Sequence, residues 1–143
     1  MGSCALGRAA VGYAPMAAVR PRVLVCEDDR ATADLLVEVL RDEGYATELA
    51  TTQAAALAAL GRERFAAIVA DCLSPVTRGL DAAAVGALVR AAAPAPVVLC
   101  TARWPAGRAD PVAWGVAAMV PKPFDVEELL AAVRDAAAPP PAV

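Results

Sequence analysis

Six side chains in this sequence could share one piece of chemistry. Glu27, Asp28 and Asp29 stand together after the apolar run "RVLVC". Asp71 follows "AAIVA", Thr101 follows "PVVLC", and Lys122 stands just past "AAMV". A carboxylate at the end of a buried strand is costly unless something compensates it. Several carboxylates gathered at one edge repel and raise one another's pKa. A hard divalent cation offsets that repulsion. Magnesium is the natural candidate, because it takes a few carboxylates together with waters and phosphate oxygens. Lys122 would bring a further positive charge to the same place and Thr101 a hydroxyl.

These residues meet only if strands deliver them to a common edge, and the pattern between them supplies such strands. Apolar runs at 22–26, 46–50, 66–70, 96–100 and 117–120 read as five strands. Between the first two, residues 30–43 carry Leu35, Leu36, Val39 and Leu40 on one helical face, and Gly44 stops that helix. Thr51 or Thr52 caps a second helix holding Leu57 and Leu60. A third, at 80–92, turns Val85, Leu88 and Val89 inward. Asp125 caps the last helix with Glu128 three residues on, and Leu129, Leu130 and Val133 face in. The fourth helix is compromised by Pro105, Gly107 and Pro111. An interior proline costs about 3 kcal/mol, so a helix here is short and begins with Pro111 as its first residue. Strands alternating with helices imply βαβ units and a parallel sheet. In such sheets ligands bind beyond the carboxyl ends of the strands, where the six residues stand.

Composition narrows the function. The chain has 143 residues, which suits one domain, bounded here as 21–137. Residues 1–20 read as a flexible arm, with Met16 a possible alternative start, and 138–143 as a disordered proline-rich tail. A net charge of -3 argues against a nucleic-acid module, which would show a basic stripe. No run approaches the ~18 apolar residues of a membrane span. The start lacks the layout of a secretory signal, and Leu6 stands where a myristoylation motif wants Ser or Thr. The expected location is the cytoplasm. Histidine is absent, so a histidine base or phosphocarrier within the chain is excluded. Cys4, Cys26, Cys72 and Cys100 form no CxxC pair, which argues against zinc. Three of them adjoin Glu27, Asp71 and Thr101, but they read as small buried hydrophobes on core strands. Trp104 and Trp114 flank the short fourth helix, as partial core or as an anchor for a partner.

The motifs together resemble the receiver domain of two-component response regulators. The resemblance rests on "VLVCEDD", on "DCLSPVTRG" with Pro75 and Gly79 four and eight residues past Asp71, on "VVLCTAR" and on "VPKPF". It implies an α/β, doubly wound, five-stranded parallel sheet in the order 2-1-3-4-5, the flavodoxin-like three-layer fold. It implies that Asp71 is the phosphoacceptor, receiving a phosphoryl group from a sensor histidine kinase or a phosphotransfer protein to give aspartyl phosphate. Glu27, Asp28, Asp71 and the backbone carbonyl of Leu73 would hold Mg2+, Asp28 directly and Glu27 directly or through water. Thr101 and Lys122 would bind the phosphoryl group and drive the switch. Met119 occupies the switch position where the family usually has an aromatic residue. Leu73 and Arg103 would modulate dephosphorylation. Asp29 reads as a helix cap. Ser74 replaces the family's usual Met or Leu, and the span from Thr101 to Lys122 is one residue short.

The expected function is therefore a stand-alone, single-domain response regulator in a phosphorelay, with no output domain after residue 138. It is not an enzyme, beyond supporting its own phosphotransfer and slow dephosphorylation. It would switch a protein–protein surface toward a downstream target, as a monomer or weak homodimer, without contacting nucleic acid or membrane. The alternative is a pseudo-receiver that is never phosphorylated and binds a partner constitutively. Two enzyme readings fit less well. "CEDDRAT" is acidic where a flavin phosphate would sit. A haloacid-type phosphatase would need a second aspartate where Leu73 stands.

Overall fold

A computed structural model of the chain describes residues 20–71, 81–102 and 110–137. Leu73, Ser74, Pro75, Gly79, Cys72, Arg103 and Trp104 lie outside the described residues, as do nearly all of the N-terminal arm and the C-terminal tail.

Ten elements alternate among the described residues. They are β1 (Arg22–Cys26), α1 (Arg30–Asp42), β2 (Ala46–Ala50), α2 (Gln53–Arg62), β3 (Ala67–Ala70), α3 (Ala82–Ala92), β4 (Val97–Thr101), α4 (Pro111–Trp114), β5 (Ala118–Pro121) and α5 (Val126–Ala137). The strands form one sheet in the order β2-β1-β3-β4-β5 with every pairing parallel. This is the expected 2-1-3-4-5 arrangement. Val23 pairs with Thr47 on one side and Ala67 on the other, and Leu99 pairs with Met119. The register brings the carboxyl ends of β1 and β3 level, Cys26 opposite Ala70, while β4 runs on two residues past Leu99, the partner of Ala70.

Side chains of successive strand residues point to opposite faces. Leu24, Cys26, Ile68, Ala70 and Leu99 pack beneath α2 and α3, against Ala56, Ala59, Val85 and Leu88. Val23, Val25, Val69, Val98 and Val120 pack beneath α1 and α5, against Leu36, Leu40, Leu129 and Val133. With helices on both faces the central strands are apolar throughout, which is why they read as unbroken runs rather than alternating ones.

The caps explain the helix starts. The side chains of Asp29, Thr52, Asp81, Asp110 and Asp125 each accept backbone N–H groups from the first turn of the helix that follows. Gly44 turns the chain after α1 at φ 101°. The fourth helix is a single turn with Pro111 at its first position, as the sequence requires, and Gly115 closes it in the left-handed region at φ 74°. The Ala93–Pro94 and Lys122–Pro123 peptides are cis.

Three sequence expectations need correction. Leu35 is 42% exposed, whereas the buried stripe of α1 is Ala33, Leu36 and Leu40. One residue rotates a helix by about 100°, so Leu35 and Leu36 cannot both point at the sheet. In α2 the fully buried residues are Ala56 and Ala59, and Leu57 and Leu60 only flank them. Third, α3 begins at Ala82 rather than at residue 80, because Asp81 is its cap.

At the amino end of the sheet Arg22 bridges Glu48 (3.2 Å) and Glu63 (3.1 Å), and Arg62 reaches Glu48 at 2.9 Å. This network ties β1, β2 and the end of α2 together. No described helix is long and apolar enough to cross a membrane.

Candidate functional site

The backbone ladder continues one residue past the strands and so fixes the residues that matter. Glu27 N–H donates to the Ala50 carbonyl (3.0 Å), Asp71 N–H to that of Cys26 (3.0 Å), and Lys122 N–H to that of Thr101 (3.0 Å). Each is thereby held at the carboxyl edge with its neighbours in register. Their side chains converge. Lys122 Nζ donates to Glu27 Oε1 at 2.6 Å and to Asp71 Oδ2 at 2.8 Å. The side chains are shielded from water, with exposures of 16% for Lys122, 2% for Glu27 and 4% for Asp71. The other Glu27 oxygen, Oε2, accepts the backbone N–H of Asp29 at 3.1 Å. Asp71 Oδ1 is buried and has no hydrogen-bond partner among the described residues.

The electrostatics follow from that geometry. Burial pushes the Glu27 carboxyl above its ordinary pKa, although Lys122 and the Asp29 N–H pull it down. Burial also pulls the Lys122 ammonium down, but its hydrogen bonds to Asp71 and Glu27 outweigh this and hold it above the ordinary lysine value. Both directions favour the protonated form. The Glu27 carboxyl and the Lys122 ammonium thus each hold a proton more firmly than the free side chain would.

The residues at the edge differ in their freedom. Asp28 is exposed beside Glu27, whereas Thr101 is fully buried at the end of β4. Asp29 accepts from the N–H and the hydroxyl of Thr32 and caps α1, as expected. Met119 and Trp114 are half-buried against the α2/α3 layer, so Trp114 is partial core. Cys26 and Cys100 are buried, and burial is the main cause that pushes their thiols up to about 11 and about 12. Their sulfurs stay protonated and unreactive, in keeping with a packing role.

Glu27, Asp71 and Lys122 are thus brought into direct contact. Thr101 stands at the adjoining strand end and Asp28 at the rim. Leu73 and Arg103 lie outside the described residues. No three carboxylates or thiols among the described residues already form a metal-holding group. A metal fit rests instead on the buried, unpartnered Asp71 Oδ1, since a buried oxygen is ordinarily satisfied. An oxygen donor beside the exposed Asp28 suits a hard cation. Spacing along the chain did not announce the Lys122–Glu27 contact, which joins residues 95 positions apart. A hollow of about 620 Å³ lies at the opposite end of the sheet between Phe65, Pro94 and Pro96, and none of these groups line it.

Comparisons with known proteins agree with this fold. The family model described as the response regulator receiver domain matches residues 23–134. The chain is 35% identical over 120 residues to the response regulator MprA of Mycobacterium leprae, covering 79% of the chain and 49% of that relative. It is 34% identical over 122 residues to the DNA-binding response regulator MtrA of Mycobacterium tuberculosis, covering 83% of the chain and 51% of that relative. The chain spans about half the length of the curated relatives it matches. Among solved structures, the receiver domain of the sensor histidine kinase PA1611 from Pseudomonas aeruginosa has a TM-score of 0.69 and 26% identity. The alignment covers 83% of this chain and 98% of that one, and that structure has a magnesium ion coordinated in the active site cleft. The Vibrio cholerae chemotaxis protein CheY4 aligns with a TM-score of 0.68 and 25% identity, covering 82% of this chain and 99% of its own.

Proposed function

The chain belongs to the response regulator receiver domain family, and from that premise we propose that Asp71 accepts a phosphoryl group and that its modification switches a protein-binding surface. The observation that carries this reading is the Lys122–Asp71 pair at 2.8 Å, beside an Asp71 oxygen that is buried and unpartnered. One oxygen is held by the Lys122 ammonium and the other has no hydrogen-bond partner among the described residues.

The donor is the phosphohistidine of a sensor histidine kinase or of a phosphotransfer protein. The Asp71 oxygen that Lys122 holds attacks phosphorus as the ammonium turns toward the phosphoryl oxygens. A P–O bond forms, the P–N bond to the donor histidine breaks, and the electron pair leaves with the imidazole nitrogen. Charge in the transition state is spread over the equatorial oxygens, where the Lys122 ammonium lowers its energy. Asp28, Asp71 and the carbonyl of Leu73, with Glu27 directly or through water, would hold magnesium, whose charge would be supplied to those same oxygens. Thr101, buried at its strand end, reaches the new phosphoryl group only by turning with β4. Met119 beside Leu99 is unbranched and half-buried, so it can refill the space that this movement leaves.

The chain is its own substrate and is modified once per donor turnover, so it is not an enzyme in the ordinary sense. Its partners are the phosphodonor and a downstream protein. It contacts neither nucleic acid nor membrane directly, acts as a monomer or weak homodimer, and works in the cytoplasm with its donor. Intact mass after incubation with magnesium and acetyl phosphate tests the reading. One added phosphoryl group is expected on the wild type and none on Asp71→Asn. No gain from acetyl phosphate or from a phosphorylated histidine kinase would overturn the acceptor role and leave a constitutive protein-binding module.

A further inference from the structure

We infer that the hollow at the amino end of the sheet is the docking groove for the proline run in residues 138–143 of this same chain, which straps the end of α5 to the α2 and α3 layer. The inference is independent of the phosphoacceptor reading, because the hollow lies at the opposite end of the sheet from Asp71.

Three walls form the hollow. Leu60 and Phe65 stand at the end of α2, Pro94 and Pro96 in the turn from α3 to β4, and Ala136 and Ala137 are the last residues of α5. α5 packs on one face of the sheet and α2 and α3 on the other, so the space of about 620 Å³ is a gap between the two layers. Its floor is apolar, with Phe65 and Ala92 buried. The chain leaves α5 at the rim of this gap. The next residues, outside the described ones, are Ala138, Pro139, Pro140, Pro141, Ala142 and Val143, none of them charged. A proline biases the residue before it away from helix, so the chain departs from the α5 axis at the rim. The backbone then selects the occupant. An ordinary segment would carry N–H groups between apolar walls, and each would need a partner. Three consecutive prolines bring none, and their fixed φ leaves little freedom to lose on docking. As polyproline II they span about 9 Å, and aromatic-lined grooves are where such runs dock. Their carbonyls still need a donor. Arg64 lines the rim, exposed and without a hydrogen bond or ion pair among the described residues, whereas its neighbour Glu63 is held by Arg22 at 3.1 Å. Composition alone reads residues 138–143 as disordered, whereas the hollow offers them walls that composition does not reveal.

Two measurements on the full chain test this. The first is direct. Nuclear Overhauser cross-peaks between the Phe65 ring and the ring protons of Pro139, Pro140 and Pro141 are expected in the wild type. Their absence would leave the hollow to water and overturn the inference. Cross-peaks confined to intermolecular-filtered spectra of mixed labelled and unlabelled chains would put the tail of a second copy there, and would overturn it too. The second is thermal unfolding, with circular dichroism confirming each fold. Replacing Pro139, Pro140 and Pro141 together by serine touches no core residue. A tail that is free in both the folded and the unfolded state would leave the midpoint where it was, and that result would sink the docking. A docked tail should lose about 3 °C or more on the same change. Arg64→Ala should lower the midpoint in the wild-type chain and change nothing further in the triple variant, since a residue acting only through another has no effect once that other is gone. Additive losses would detach Arg64 from the tail and overturn its part in the groove.

Discussion

Lys122 carries the charge balance of the site. Among the described residues it is the one cation in contact with these two carboxylates, which are 2% and 4% exposed. Removing one partner of a buried ion pair strands the others without compensation, at a cost of about 3 kcal/mol or more. Lys122→Met should lose about that much stability in urea denaturation near neutral pH. The pH dependence has a definite sign. The folded-state pKa of Lys122 lies above the 10.5 of an ordinary lysine, so its contribution is fully present below 10.5 and is lost as pH rises through the higher folded value. The stability gap between wild type and Lys122→Met should therefore stay flat from neutral pH to the ordinary lysine value and close above it. Glu27 has the same sign at acid pH. Burial raises its pKa, so its favourable contribution belongs below the carboxylate range and fades as pH rises through it.

Among the elements, α4 is the most constrained. It is one turn, begun by Asp110 and Pro111 and ended by Gly115 at φ 74°. A Cβ at Gly115 would meet only Val89 Cγ1, at an ordinary 3.8 Å, so any penalty for Gly115→Ala is conformational. Left-handed backbone costs an L-residue about 1–2 kcal/mol, and thermal unfolding should register that loss as a drop of several degrees. The short fourth helix was legible because proline and glycine act locally, through missing N–H groups and permitted φ values. The parallel sheet was legible for a similar reason, since β-branched runs between amphipathic segments have few other ways to be buried. Leu35 was not legible in this way. Four apolar residues span more of α1 than one sheet can cover, and only packing decides which of them is left out. The contact between Lys122 and Glu27 was equally hidden. Strand order brings the two side chains to one edge, but which oxygen meets the ammonium depends on the backbone turn at Asp29.

For the molecule as a whole, the two faces of the sheet are packed to different standards. Valine and leucine fill the α1/α5 side, whereas alanine supplies much of the α2/α3 side, with Ala56 at 0% and Ala59 at 1% exposure. Small residues there let α2 lie close on the strands, so added volume has nowhere to go. Ala56→Leu should destabilise by about 1–3 kcal/mol through overpacking, read as a lower urea midpoint at unchanged slope. The strand order also bears on how the chain assembles. β1 finds both of its neighbours, β2 and β3, within residues 22–70, and those pairings close shorter loops than any that reach Lys122. The half-sheet that can collapse first already aligns Glu27 with Asp71, two like charges without a counterion. The ammonium that reconciles them arrives only with β5, at the far end of the fold. The frustration is thus built in early and relieved last, so a chain stalled before β5 docks would carry an unneutralised acidic mouth where the finished protein holds the Lys122 ammonium.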